Sequence, residues 1–151
     1  MAVATMLNGV KLIMKAETYD FKGAKEILQR KGLLNELNEI IKNVTQVDHR
    51  LIQDAFIEHG WEKEYPIHHG VSWTWDAYKR RVPVSIELSL IDAVHRDLLR
   101  ILLWKKEDKV DAMIYITSTF KEPKFQNVRR DLEIFKSLVD VPIFLMGLPE
   151  S

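Results

Sequence analysis

Two carboxylates in the middle of the chain have a spacing that suggests a metal site. From Val82 to Leu90 apolar and polar residues alternate, which is the pattern of a β-strand with one buried face. If this strand forms a hairpin with the preceding segment, centred near Arg81 and Val82, Asp76 and Glu87 become cross-strand neighbours. Paired carboxylates on adjacent strands suit a hard cation such as magnesium, which prefers oxygen ligands.

The same two residues also have a purely structural interpretation. A strand with one solvated face carries charged residues on that face, and an aspartate beside a turn usually stabilises the turn. Short motifs of this kind frequently match by chance. Spacing alone therefore leaves both interpretations open, and the surrounding sequence must decide between them.

Composition indicates an ordinary globular domain. The 151 residues are 46% hydrophobic and 29% charged, with no net charge, so nothing indicates a strongly basic surface, although a local basic patch remains compatible with this balance. The absence of cysteine excludes disulfides, thiolate metal sites and a cysteine nucleophile. No apolar run reaches transmembrane length and no signal-peptide pattern opens the sequence, so we expect a cytoplasmic protein without a membrane partner.

The first part of the chain is predicted to be helical, after a weak strand or helix signal over residues 10–16. Three amphipathic patterns follow, each with an apolar stripe at helical spacing. The predicted helices cover residues 23–30, 33–44 and 49–59. Their expected boundary residues are Asp20 and Asp48 as N-terminal caps, and Gly32 and Gly60 as C-terminal breaks.

The second part is predicted to form a sheet with two more helices. The predicted antiparallel meander consists of strands over residues 61–68, 71–78 and 82–90, and a helix over 91–104 follows it. Two nearly continuous apolar segments, 110–117 and 141–147, flank a helical pattern over 125–138. Segments of this kind are typical of parallel strands buried on both faces, joined by a right-handed crossover.

These elements predict an α/β protein with three α/β/α layers. Its mixed central sheet combines the antiparallel meander with the parallel βαβ unit. We expect a single domain over residues 1–151, with a helical part over about 20–59 and a sheet core over about 60–148.

Four stretches occur in an order that resembles a known nuclease fold. The first core strand would begin in HGWEKEYPI, and a metal-binding Asp and an E-x-[KQSE] element fit WDAY and VSIELS. The central hydrophobic strand fits VDAMIYIT, and the core would close with LVDVPIFLMGL. Over about Leu51 to Leu148 the chain thus resembles the PD-(D/E)xK restriction-endonuclease fold, and specifically the BglII and BstYI group of type II restriction endonucleases.

The resemblance implies a magnesium-dependent DNA endonuclease in which manganese could replace magnesium. It implies Asp76 and Glu87 as direct metal ligands, and the backbone carbonyl of Leu88, which lies between two site residues, would add another oxygen. Ser89 stands where most nucleases of this fold have lysine, so it could only hydrogen-bond water or phosphate. Glu64 matches a fourth position, acidic or polar in relatives, that could bind the metal or orient water.

The resemblance also implies double-stranded DNA as the partner. The predicted hairpin turn offers Lys79, Arg80 and Arg81 for contacts to phosphates, which position a duplex without reading its sequence. Arg96 could replace the cation that Ser89 cannot provide, although a solvated helix charge is the simpler interpretation. Two further lysines, more simply interpreted as surface charges, are Lys121 and Lys124.

A homodimer is expected, because cutting both strands of a symmetric site is most simply done by a two-fold pair. The tryptophan-rich middle of the chain offers aromatic anchors for such an interface. A second class of function stays open, in which a nuclease-like fold has lost catalysis and serves as a DNA- or protein-binding module. Ser89, the balanced charge and the end of the chain near the last core strand favour that alternative, whereas the three carboxylates favour the nuclease.

Overall fold

A mixed six-stranded sheet forms the centre of the protein. The computed structural model describes residues 6–7, 10–11 and 15–150. The strands of the sheet are β3 (Glu17–Phe21), β4 (Glu62–Pro66), β5 (Thr74–Lys79), β6 (Val82–Ile86), β7 (Met113–Ser118) and β8 (Ile143–Leu148), in the spatial order β3-β8-β7-β6-β5-β4. A separate antiparallel pair consists of β1 (Met6–Leu7) and β2 (Val10–Lys11).

The sheet is parallel at its centre and antiparallel towards both edges. Strands β6, β7 and β8 are parallel, whereas β4-β5-β6 form an antiparallel meander and β3 pairs antiparallel with β8. The helices are α1 (Ala24–Arg30), α2 (Leu33–Lys42), α3 (His49–Glu58), α4 (Ile91–Lys106) and α5 (Phe125–Ile134). The predicted mixed sheet with its parallel β7-α5-β8 unit is therefore confirmed.

Alternate residues of the central strands face two separate hydrophobic clusters. Ile114 and Ile116 of β7 pack in the cluster that contains the apolar stripes of α1, α2 and α3. Met113 and Tyr115 point the other way, into the cluster formed with α4 and α5. Every residue of β7 and β8 is buried, as their continuous apolar sequences predicted. The three-layer α/β/α architecture follows from this division.

Helix α5 lies directly on β8 at a glycine. A Cβ atom on Gly147 would lie 2.6 Å from the Cβ atom of Phe125, at the first turn of α5. Any larger side chain would therefore push the helix away from the strand, since contacts this short do not occur in packed interiors. The apolar residues that precede the glycine contribute burial, and the glycine itself permits the close approach.

The predicted register of the β5-β6 hairpin is wrong by two residues. The turn consists of Arg80 and Arg81, both with positive φ, and the first pair across it is Lys79 with Val82. Continuing this register beyond the Ala77–Val84 pair places Ser85, not Glu87, across from Asp76. Two consecutive residues at positive φ suit Gly or Asn, so the arginines gave no sequence signal for a turn at this position.

The β6 strand is also shorter than the alternating pattern predicted. It ends at Ile86, and all five of its residues are buried because it lies inside the sheet. Leu90 is 61% exposed instead of continuing a buried face. Glu87 and Ser89 therefore lie in the turn that leads to α4, outside the strand.

The N-terminal region departs from the prediction in two places. The edge strand β3 precedes the first helix, whose N-cap is Gly23; the predicted cap Asp20 instead lies in β3, and its Oδ1 accepts the backbone N–H of Lys25 at 2.9 Å. The signal over residues 10–16 corresponds to strand only at Val10–Lys11, and positions 12–14 lie outside the described residues.

The other helices largely follow their predicted patterns. The apolar stripe of α2 is buried, Asp48 caps α3 through the backbone N–H of Leu51, and Gly60 follows that helix with positive φ. Helix α5 ends at Ile134, four residues before the predicted end at position 138. Within the part of the chain that the structure describes, no helix has both the length and the apolar character needed to cross a bilayer.

Candidate active site

A cavity of about 450 Å³ opens where β5 and β6 meet the first turns of α3 and α4. Both predicted metal ligands, Asp76 and Glu87, line this cavity, as do Leu88 and Ser89. The sequence therefore identified residues that the fold brings to one cavity, although the hairpin register on which their pairing was based is different. The charged side chains that line it are Asp48, His49, Asp76, Glu87, Arg96, Asp97, Arg100 and Lys121.

Asp76 occupies a position where β5 lacks ordinary strand partners. Pairing with β6 stops at Ala77, and the Ile86 N–H donates instead to Oδ2 of Asp76 at 2.7 Å. The backbone carbonyl of Asp76 accepts a hydrogen bond at 2.9 Å from Nε2 of Gln53, a buried residue of α3. The other carboxylate oxygen, Oδ1, lies 3.0 Å from Nε2 of His49. The carboxylate thus replaces a strand partner and is held from two sides.

Glu64 lies across from this position on β4 but does not join the cavity. The registered pairs of β4 and β5 flank the 64–76 position without including it, and Glu64 has a φ of 51°. Its side chain is exposed and is not among the lining residues. Glu64 therefore lies opposite Asp76 in the strand register but outside the cavity lining, and its role as a metal ligand or in orienting water stays a prediction.

Glu87 is held by the turn that starts α4. Its Oε2 atom accepts from the backbone N–H of Ser89 at 3.1 Å, from Oγ of Ser89 at 3.0 Å and from the N–H of Leu90 at 3.2 Å. Leu90 is the N-cap of the helix, so the carboxylate satisfies amide groups at a helix start. The other oxygen, Oε1, lies 3.8 Å from Nη2 of Arg96. Arg96 is therefore more than the solvated helix charge that was the simpler interpretation of the sequence.

Asp97 is a buried carboxyl group that the sequence interpretation missed. Its Oδ2 accepts from the hydroxyls of Tyr115 at 2.9 Å and Ser85 at 3.2 Å, and Oδ1 lies 3.4 Å from Nη2 of Arg96. Burial raises the pKa of Asp97, and the hydrogen bond from Tyr115 partly opposes this effect. Burial likewise holds the pKa of Tyr115 well above its ordinary value, so the phenol keeps its proton and donates. The sequence signal for this burial was the position of Asp97 on the apolar face of the helical pattern over residues 91–104.

His49 and Gln53 are two further residues without a role in the sequence interpretation. Both lie on α3, and both hold Asp76 from the helix side. The hydrogen bond to Asp76 raises the pKa of His49, which favours the protonated ring beside the carboxylate. The sequence signal for Gln53 was its position next to Ile52, a residue of the apolar stripe of α3; both side chains are buried.

The donor set of the cavity fits a hard divalent cation with few protein ligands. Asp76 and Glu87 supply carboxylate oxygens, and the carbonyl of Leu88 is one residue away from the second carboxylate. Across the described residues, no group of three His, Cys, Asp or Glu side chains is arranged to hold a metal ion. Magnesium commonly binds through one or two carboxylates and keeps several waters, so a two-carboxylate site remains compatible with it.

The three cations predicted to contact DNA all bind other parts of the protein. Lys79 forms an ion pair of 2.7 Å with Glu36, and Nη1 of Arg80 donates to a backbone carbonyl of the α1-α2 turn at 2.8 Å. Arg81 forms ion pairs of 2.9 Å with both Asp108 and Asp111. Their contacts connect the hairpin to its surroundings, and none of the three lines the cavity.

Comparison with known proteins identifies the family and the fold of the chain. The sequence profile of the family described as restriction endonuclease BglII/BglIII matches residues 16–148. The chain belongs to this family. Its fold is similar to that of restriction endonuclease BglII in a crystal structure with a DNA 16-mer, with a TM-score of 0.77 and 20% sequence identity over 91% of this chain and 78% of that chain. No curated protein matches the chain in sequence.

Membership of the BglII/BglIII family assigns the chain to the restriction endonucleases, which are DNA nucleases that generally use divalent metal ions. The predicted PD-(D/E)xK-like fold and the predicted family are thereby confirmed. The cavity that contains Asp76 and Glu87 brings carboxylates and cationic side chains together in one place.

Two substitutions at Asp76 should separate its structural role from its charge. Asp76→Ala leaves the buried Ile86 N–H without an acceptor and should reduce the free energy of unfolding by about 1–3 kcal/mol. Asp76→Asn retains an acceptor oxygen and should remain within about 1 kcal/mol of wild type. Urea denaturation of the metal-free proteins measures both values. Equal stability of the Ala and Asn variants would show that the hydrogen bond to Ile86 contributes nothing.

Stability should depend on pH through Asp97. Because burial raises its pKa, the folded state binds a proton that the unfolded chain has already released, and stability falls as pH rises from the ordinary carboxyl range through the raised value. Asp97→Asn removes this titration, so its melting temperature relative to wild type should increase from about pH 4 to pH 7. Tyr115→Phe, which removes a donor to the carboxylate, should destabilise more at pH 7 than at pH 4. A pH-independent difference for Asp97→Asn would contradict this account.

Proposed function

We propose that this protein is a magnesium-dependent endonuclease, similar to type II restriction enzymes, that hydrolyses phosphodiester bonds of double-stranded DNA. The observation that carries the proposal is that Asp76 and Glu87 line one cavity in a member of a restriction-endonuclease family. Two carboxylates and a neighbouring carbonyl form an oxygen-rich site beside several cationic side chains, which is the combination that metal-assisted phosphate hydrolysis uses.

Each carboxylate is oriented by contacts of its own. Asp76 is held by the Ile86 N–H and the His49 ring, and Glu87 is held by the turn at Ser89. Such contacts restrict the side-chain rotamers, so the oxygens are positioned before substrate binds. A divalent cation at these oxygens would supply positive charge next to the scissile phosphate and would lower the pKa of a bound water.

Ser89 occupies the position where a lysine would provide a cation. Its hydroxyl donates to Oε2 of Glu87, and the hydroxyl oxygen could also accept from a water. Its place in the mechanism is therefore to orient Glu87. The cationic part of the chemistry must come from other residues on the cavity wall.

A binding module without catalysis is the second candidate, and one observation favours it. Oε2 of Glu87 already accepts three hydrogen bonds from its own turn, and Oε1 lies near Arg96. A carboxylate used in this way resembles a helix-capping group, which a protein could retain after losing metal binding. The two candidates differ in whether a divalent ion binds at Asp76 and Glu87.

We also propose that two copies associate through α4 and α5. These helices border an apolar groove of about 350 Å³, and the side chains of Leu99, Ile134 and Leu138 are 70%, 65% and 66% exposed. Exposed apolar patches of this kind typically mark protein–protein contacts. The proposed interface uses aliphatic side chains and not the tryptophans expected from the sequence, because Trp61, Trp75 and Trp104 lie in the core. A two-fold pair would supply one cavity for each DNA strand.

Metal binding should be visible as a change in stability. Magnesium or manganese at about 100 times its dissociation constant should stabilise the wild-type protein by about 2.7 kcal/mol and raise its melting temperature. Asp76→Asn and Glu87→Gln should lose this shift, because each removes a ligand charge. Glu133→Gln, an exposed change on α5, serves as the matched control, and Glu64→Gln should also keep the shift because Glu64 lies outside the cavity.

The same proteins should be tested for DNA cleavage with each divalent ion. Genomic DNA is the appropriate substrate, because its length includes every short recognition sequence. Wild type and Glu133→Gln should cut it, whereas Asp76→Asn and Glu87→Gln should lose at least about 100-fold in rate, as expected for removal of transition-state charge stabilisation. Absence of both a metal-dependent shift and cleavage in wild type would establish the binding module instead.

Dimer formation should depend on two exposed leucines of the groove, Leu99 on α4 and Leu138 just after α5. Leu99→Glu and Leu138→Glu place charges in the groove and should weaken self-association at least about tenfold, since burying an unpaired charge is costly. Val71→Glu is the matched control, because Val71 is 42% exposed in the β4-β5 loop and lies outside the groove. Sedimentation velocity over a range of concentrations measures the change. A wild-type protein that stays monomeric at high concentration would rule out this interface.

A further inference from the structure

The cations that line the active-site cavity differ in whether they already have anionic partners. His49 lies against Asp76, and Arg96 lies 3.4 Å from Asp97 and 3.8 Å from Glu87. These two side chains compensate the acidic residues of the cavity. Among the described residues, Arg100 and Lys121 have no carboxylate within ion-pair distance.

Arg100 is distinguished from Lys121 by how firmly it is held. It lies one helical turn after Arg96, on the same side of α4, and its guanidinium carbon is 4.3 Å from the centre of the Trp73 ring. Its Nε atom is buried and makes no hydrogen bond within the described part of the chain. Stacking on the indole fixes the plane of the guanidinium, whereas the Lys121 side chain is exposed.

The positive charge of Arg100 is only partly compensated, because Asp97 is near it but outside ion-pair distance. Burial, followed by the nearby charge of Arg96, lowers the pKa of Arg100, although a guanidinium remains protonated at neutral pH. A partly buried cation with a free donor and a like charge beside it gains strongly from a monoanion. A phosphodiester is such a monoanion, and its oxygens match the fork of guanidinium donors.

We propose that Arg100, stacked on Trp73, binds a DNA backbone phosphate in the cavity lined by Asp76 and Glu87. It thereby supplies the cation that Ser89 lacks. This inference rests on the proposed function, because it deepens the account of the same cavity. It assigns the contact to a residue of α4 in place of the hairpin cations Lys79, Arg80 and Arg81.

The fluorescence of Trp73 provides a local measurement of this contact. Of the four tryptophans, it is the only one that is exposed, at 41%, whereas Trp61, Trp75 and Trp104 are at most 3% exposed. Acrylamide, a neutral quencher, should therefore quench the fluorescence of Trp73 selectively. DNA bound at Arg100 should shield the ring from the quencher.

The chain offers a matched control for the loss of a stacked arginine. Arg129 of α5 lies 4.6 Å from the ring centre of Tyr19 on the edge strand β3, in the same kind of cation–π contact. Edge strand β3 is at the opposite edge of the sheet from β4, and neither residue lines the cavity. Arg129→Gln thus removes one positive charge and one stacked guanidinium without changing the proposed phosphate contact.

The experiment measures binding of a mixed-sequence DNA duplex in EDTA at low salt, with tryptophan quenching as a second readout. Wild type should bind and become protected from acrylamide, and Trp73→Phe should remove the quenchable signal. Arg100→Gln should raise the dissociation constant about tenfold and reduce the slope of log K against log salt by about one. Arg129→Gln should bind within about twofold of wild type, since a remote charge adds little once salt screens it.

Arg100→Lys keeps the charge but loses the planar fork, so it should lose about threefold in affinity with an unchanged salt slope. This variant also provides a test if Arg100→Gln fails to fold. The inference would be overturned if the wild-type protein neither bound DNA nor became protected at Trp73. It would also be overturned if both Arg100 variants kept the affinity and the salt slope of the wild-type protein. A protein that binds DNA through Arg100 but cuts none with any divalent ion would uphold this inference while refuting the proposed nuclease.

Discussion

The hydrogen bond from the Ile86 N–H to the carboxylate of Asp76 determines how the site is built. At this point the antiparallel pairing of β5 and β6 stops, so a backbone donor inside the sheet would otherwise have no partner. Leaving a buried amide unsatisfied costs about as much as a whole hydrogen bond contributes to stability. The fold therefore requires an acceptor at residue 76, and the carboxylate that meets this requirement is also a predicted metal ligand.

The same arrangement explains why the site lies between layers rather than on the surface of the sheet. Two side chains of α3 reach Asp76 from the helical layer, through its backbone carbonyl and its carboxylate. On the other side of the sheet, the turn after β6 leads into α4, and Glu87 accepts from the amides of Ser89 and Leu90 immediately before that helix. Each carboxylate therefore stabilises an element of the fold, and its position depends on a helix from a different layer.

The acidic and basic residues of the cavity are divided between structural and free groups. Asp97 is neutralised in part by two hydroxyl donors and by Arg96, which also lies near Glu87. In the hairpin, Arg81 is likewise used in ion pairs within the protein, and Arg80 donates to a backbone carbonyl. A cation available for a substrate must consequently be one without such a partner, and Arg100 on α4 meets that condition.

The sequence by itself determined the architecture and pointed to two residues of the candidate site. Continuous apolar segments predicted β7 and β8 as central strands, because only strands covered on both faces bury every side chain. It also identified Asp76 and Glu87, since carboxylates near the ends of adjacent strands are visible in a linear pattern. The hairpin register was wrong, because two arginines at positive φ give no turn signal. Strand β3 was not predicted, because Asp20 was interpreted as the cap of the following helix.

Only the tertiary structure decided which other side chains belong to the site. His49 and Gln53 come from α3, Asp97 and Arg100 from α4, and no spacing along the chain relates either helix to Asp76. Tertiary packing also excluded Glu64 from the cavity and used the hairpin cations for internal contacts. The local pattern of apolar and polar residues predicts which face of a helix or strand is buried. The partner of a charged side chain depends instead on which helices and strands pack together in the folded protein.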